Sequence, residues 1–114
     1  SPMTNADEEL QAKIKALQNT YKANLATRLD EIDAALENLR AAGGINGEKL
    51  NTLLALAHKL TGSAGTFGLA AISDIAGDLE ALCSSHIDGG TDASEELERM
   101  TTLAADLRKA AETG

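Results

Sequence analysis

Several things are nearly missing from this 114-residue chain. It has one proline, at position 2, one cysteine, no tryptophan, and only Tyr21 and Phe67 as aromatics. A single Cys83 excludes an internal disulfide framework and fits a reducing compartment. No apolar run of about 18 residues is present to span a bilayer, and no charged-then-apolar leader is seen. No β-branched run alternates with period two, so strands are not expected. Basic residues are scarce: 10 against 18 acidic ones, for a net charge of -8. That balance argues against nucleic acid and against an anionic membrane as partners. The chain is expected to be soluble and cytoplasmic.

What is present is helix-forming: Ala, Leu, Glu and Lys in amphipathic order. Residues 1–6 carry no pattern and are expected to be a disordered lead, with Ser1-Pro2 before Met3 reading as a cloning remnant. One domain is expected over 7–113. Leu10, Ile14 and Leu17 recur at helical spacing and suggest a short first helix. Asn19-Thr20 is a candidate break, although a continuous helix is also compatible with the pattern. Tyr21, Leu25, Leu29, Ile32, Leu36 and Leu39 then form a long apolar stripe, stopped by Gly43-Gly44. The next helix starts near Asn46 or Gly47 and runs to about Phe67, with Gly68 as terminator. Its inward stripe is Leu53, Leu56, Ala57, Leu60, Ala64 and Phe67. Another helix follows at once, with Leu69, Ile72, Ile75, Leu79 and Leu82 inward. Ser84–Thr91 reads as a loop, and Asp92-Ala93-Ser94-Glu95 as a capping box. The last helix buries Leu97, Met100, Leu103, Ala104 and Leu107, with Arg108 and Lys109 placed to complement its dipole. The economical fold is an all-α, antiparallel up-down four-helix bundle with a short extra N-terminal helix.

Chemistry concentrates on the helix ending at Phe67. Gly62 and Gly65 stand one and two turns after His58 on its own face, where each costs roughly 1 kcal/mol relative to Ala. Thr61 and Leu54 flank the same face. The helix therefore presents an imidazole and strips side chains from beside it. No carboxylate occurs between Glu48 and Asp74, so the only titratable groups there are Lys49, His58 and Lys59. A neutral imidazole has a free ring nitrogen able to take a phosphoryl or acyl group. Triad hydrolysis is disfavoured, because Ser63 points away from His58 and no acid lies within reach on the same helix. A metal site needs more ligands than His86, Asp88 and Cys83 provide; His86 reads as a solvated loop residue and Cys83 as a packed helix residue. No nucleotide-cradling GxxxxGK[ST] loop exists.

The run Ala57-His58-Lys59-Leu60-Thr61-Gly62-Ser63-Ala64-Gly65-Thr66-Phe67-Gly68-Leu69, with Leu79-Glu80 beyond it, closely resembles the signature of histidine-containing phosphotransfer domains. Tyr21–Leu29 resembles the helix that precedes the histidine helix in that family. The resemblance implies a phosphorelay intermediate. His58 would accept a phosphoryl group from the phospho-aspartate of a response-regulator receiver domain, or of a hybrid kinase's receiver, and pass it to another receiver Asp. It would have no kinase activity and no cofactor of its own, the partner receiver supplying Mg²⁺. Gly62 and Gly65 would make room for the receiver, and Asn51, Leu54 and Ala55 would help dock it. The family often has Lys three residues after the histidine; here Thr61 stands there, leaving Lys59 and Thr61 as candidate phosphoryl supports. A monomer is expected. Two other readings stay open: an adaptor that docks receivers without phosphotransfer, and a dimeric phosphoacceptor fragment of a histidine kinase.

Overall fold

A computed structural model describes residues 4–43, 47–86 and 93–113. Of the disordered lead expected over 1–6, residues 1–3 lie outside the described residues, whereas Asn5 and Ala6 are already helical; Gly44, the possible helix start at Asn46, most of the 84–91 loop and the Asp92 cap also lie outside them. Four helices run in order: α1 Asn5–Ala41, α2 Gly47–Thr66, α3 Ala70–His86 and α4 Ala93–Thr113. There is no strand among the described residues. No helix among them is long and apolar enough to cross a membrane.

Each helix packs on its neighbours in chain order, and α4 closes the ring on α1. Cross-helix contacts show the alternation of direction. Tyr21, early on the packed part of α1, stacks on Phe67 just after α2. Arg108, late on α4, binds Asp30 and Asp33 of α1, whereas Arg40 at the end of α1 reaches Thr101 nearer the start of α4. The result is the expected up-down bundle. Its core is aliphatic: Leu25, Leu29, Ile32, Leu36 and Leu39 of α1 meet Leu50, Leu53, Leu60, Leu79, Met100 and Leu107, and among the described residues no polar or charged residue is buried.

Three details depart from expectation. The extra N-terminal helix is not separate: α1 is one 37-residue helix. Neither Asn19 nor Thr20 removes a backbone donor, so neither is obliged to break it. It starts at Asn5, because Thr4 accepts a hydrogen bond from the Asp7 amide and the Asp7 carboxylate reaches back to the Thr4 amide. Second, Phe67, expected on the inward stripe of α2, is exposed, and so are Leu10, Ile14 and Leu17 of α1. Third, Arg108 does not serve the end of its own helix, since α4 continues to Thr113 and the guanidinium is spent on Asp30 and Asp33.

The turns that fix the bundle use glycine at positive φ. Gly43 has φ +80° and Gly68 φ +74°. At Gly68 the Leu69 amide donates to the Ala64 carbonyl at 2.9 Å and the Gly68 amide to Gly65 at 3.1 Å, a Schellman closure. The chain reverses there and α3 returns along α2.

Candidate site on the α2 and α3 faces

The outward stripe of α2 is Asn51, Ala55, His58 and Gly62, one turn apart in succession, with Lys59 beside it, all exposed. The back of the same helix carries Leu50, Leu53, Ala57, Leu60 and Ala64 into the core. His58 is therefore held on a rigid support with its side chain 74% exposed. A Cβ built on Gly62 meets nothing within 4 Å, so the space beside the imidazole is open solvent. Gly65 is different: a Cβ there would stand 3.4 Å from Ser73 Oγ, and that hydroxyl donates to the Thr61 carbonyl at 2.9 Å. Gly65 lets α3 come close as well as keeping the surface low. Leu54 is half-buried and packs partly on the core.

No acid lies within reach of His58 on α2, but α3 supplies one. His58 Nδ1 lies 2.8 Å from Glu80 Oε2 on α3. The α2–α3 hairpin explains the meeting. Gly65 faces Ser73, four residues either side of Leu69; Thr61 faces Gly77, eight either side; His58 faces Glu80, eleven either side. The carboxylate-free stretch of α2 thus receives its acid from the returning helix. An ionised carboxylate only accepts, so Nδ1 is the donor in this contact, and in the neutral imidazole the lone pair then sits on Nε2. Among the described residues nothing hydrogen-bonds Nε2.

The candidate supports differ in availability. Lys59 is exposed and forms no ion pair or hydrogen bond among the described residues. Thr61 is half-buried and donates its hydroxyl to the Ala57 carbonyl at 2.8 Å. Its proton is committed to the helix. Ser63 is turned to the other side, 3.4 Å from the Tyr21 hydroxyl.

His86 and Cys83, the other nucleophilic or ligating side chains of α3, belong to the packing. His86 ends α3 rather than standing in a solvated loop, and its Nε2 is 3.5 Å from Glu96 Oε1 of α4. Cys83 is fully buried. Burial, with a smaller contribution from the Glu80 charge, pushes its thiol from 9.0 up to about 12. Among the described residues no group of three or more His, Cys, Asp and Glu side chains could hold a metal ion.

Chemically, the site is a solvent-facing imidazole with one nitrogen fixed, the other bare, and a lysine at hand. It offers a nucleophile for a group delivered from outside. Comparison with family models matches residues 16–112 to the Hpt domain. No curated protein and no solved structure gives a significant match.

Proposed function

This chain belongs to the Hpt domain family, whose role is histidine phosphotransfer in phosphorelays, and on that premise we propose that Nε2 of His58 is its phosphoacceptor. The observation that carries the assignment is the pairing of Nδ1 with Glu80 at 2.8 Å on a side chain that is otherwise open. In the forward step the Nε2 lone pair attacks phosphorus, and the P–O bond to the donor aspartate breaks with its electron pair on the carboxylate. The product is an N-phosphorylated imidazolium that still holds its proton on Nδ1, and Glu80 neutralises the charge that forms. The reverse sequence delivers the group to an acceptor aspartate. Lys59 supports the phosphoryl oxygens; Thr61 could donate to them only by releasing the Ala57 carbonyl.

In-line transfer requires donor and acceptor on opposite sides of one phosphorus, so a receiver must descend over His58. The open volume at Gly62 and the low stripe of Asn51, Ala55 and Leu54 suit that approach. Mg²⁺ would be supplied within the partner receiver. The test is transfer of labelled phosphate from a phosphorylated receiver to wild type and to His58→Ala. Acid-labile label on wild type alone is expected. Label retained on His58→Ala would overturn the assignment, and an unlabelled wild type that still binds the receiver would favour a docking adaptor.

A further inference from the structure

The first four turns of α1 have no partner in the bundle. All residues from Asn5 to Thr20 are exposed, and burial on α1 begins only at Tyr21. The molecule measures 62 × 21 × 20 Å. A 37-residue helix is about 55 Å long, whereas the 20 residues of α2 span about 30 Å. The excess is a projecting rod. Its surface is not uniformly polar: Leu10, Ile14 and Leu17 are 58%, 46% and 62% exposed. With Tyr21 they follow 4-3-4 spacing, the seam of a two-stranded coil. The matched family region begins at residue 16, so Leu10 and Ile14 lie outside it.

We infer that this rod pairs antiparallel with the same rod of a second copy of the chain, forming a two-fold dimer. Three observations select that occupant. First, the charge at the two ends of the rod favours one direction. Asp7, Glu8 and Glu9 stand at its tip, and Lys13, Lys15 and Lys22 follow toward the bundle. In the antiparallel register that brings the tip to the bundle end, the acids approach Lys22, while Lys13 and Lys15 lie near the two-fold axis close to their own equivalents; parallel pairing instead sets acids beside acids and every lysine beside its equivalent. Second, the seam runs into a receptive bundle end. The stripe leads to Phe67, 48% exposed and stacked on Tyr21. Beside it is a hollow of about 260 Å³ lined by Leu25, Leu69, Ala71, Ile72, Ala110 and Ala111, with Lys22 at its edge. A helix tip arriving antiparallel along the seam ends at this hollow, its acids toward Lys22. Third, the area suffices. Two such rods side by side cover on the order of 1,000 Å² in total, the lower limit of a specific interface. The two-fold contact is isologous and closes on itself. It leaves both His58 faces free, because His58 lies nine residues back from Phe67 on a face turned to α3.

Sedimentation and light scattering on the whole chain test the pairing. A reversible dimer is expected, half-formed at on the order of 10–100 μM, as befits an interface of that size. Ile14→Glu is expected to weaken association more than tenfold while helicity and transfer to His58 stay unchanged. A chain that stays monomeric to about 1 mM, or a dimer indifferent to Ile14→Glu, overturns the inference. Direction is read separately. Spin labels at Asn5→Cys, Ala12→Cys and Asn19→Cys lie seven residues apart on the outer side of the rod, and buried Cys83 will not take up label. In an antiparallel pair the axial separation of equivalent labels changes by about 3 Å per residue away from the two-fold axis, so the three distances must differ by many ångströms. Three equal distances would mean a parallel pair and would overturn the arrangement.

Discussion

The two histidines make a natural comparison, because each faces a glutamate on the neighbouring helix. His58 gives Nδ1 to Glu80 at 2.8 Å and is 74% exposed; His86 gives Nε2 to Glu96 at 3.5 Å with both side chains about 15% exposed. Pairing alone therefore does not mark a reactive imidazole. What separates them is whether the outer nitrogen, Nε2, is left bare and within reach of a partner. His58 spends the nitrogen nearer its own backbone and keeps the outer one for chemistry. His86 spends its outer nitrogen and closes the α3–α4 junction.

The sharpest way to break this comparison is to delete each imidazole in turn. His58→Ala should abolish acquisition of acid-labile phosphate and leave the melting temperature within a few degrees, since the side chain contributes little burial. His86→Ala should do the opposite: transfer unchanged, stability lower by about 1–2 kcal/mol from the stranded, half-buried Glu96. Chemical denaturation and phosphotransfer on the same two proteins decide it. Equal loss of transfer in both would show that the difference in accessibility has no functional meaning.

Glu80 comes next. If its part is to hold the Nδ1 proton and neutralise the phospho-imidazolium, Glu80→Ala should slow acceptance by about 10–100-fold, the range for partners that orient a reactive histidine. Glu80→Gln keeps an acceptor for the Nδ1 proton but no charge, and should fall between. Single-turnover rates from a phosphorylated receiver measure this. An unaffected Glu80→Ala rate would reduce the contact to a surface ion pair of little consequence. Gly62→Gln should have a smaller effect, about tenfold, because one misplaced contact of about 1.4 kcal/mol in a docking surface is tenfold in affinity. The bundle itself should gain slightly, as an exposed helical glycine is replaced where a Cβ meets nothing.

Much of this was legible in the sequence, for definite reasons. The Tyr21–Leu39 stripe is buried along its length because each residue repeats at helical spacing against a bundle that spans it. Leu10, Ile14 and Leu17 repeat at the same spacing yet stay exposed: periodicity says which way a side chain points, not whether a neighbour reaches that far. Phe67 fails similarly, lying just past the last turn of α2 and capping Tyr21 from outside. His58, Gly62 and the exposed stripe were readable from one helix alone. Glu80 was not, because its role needs the register of two helices. Once Gly68 is placed as the turn, equal distances from Leu69 bring it to His58, so the information was present but required the hairpin to be built first.

Cys83 lies three residues beyond Glu80 on α3 and marks how sharply the exposed site gives way to sealed interior. Its thiol is pushed from 9.0 up to about 12 mainly by burial, so the folded chain keeps this proton where the unfolded chain has lost it. A raised folded value stabilises below the unfolded one and is lost as pH climbs toward the folded one. Wild type should therefore lose stability between pH 9 and pH 12, by about 1.4 kcal/mol per unit from this group. Cys83→Ala should cost some stability at pH 7 through the lost packing, yet show a flatter decline over that alkaline window. Denaturation curves at pH 7, 9 and 10.5 on both proteins measure the difference in slope. At neutral pH the native thiol should resist maleimide until the bundle opens, because the reactive thiolate is scarce and unreachable. Parallel alkaline slopes in the two proteins would mean that water reaches Cys83, and that the wall between the phosphoacceptor face and the core is thinner than its packing indicates.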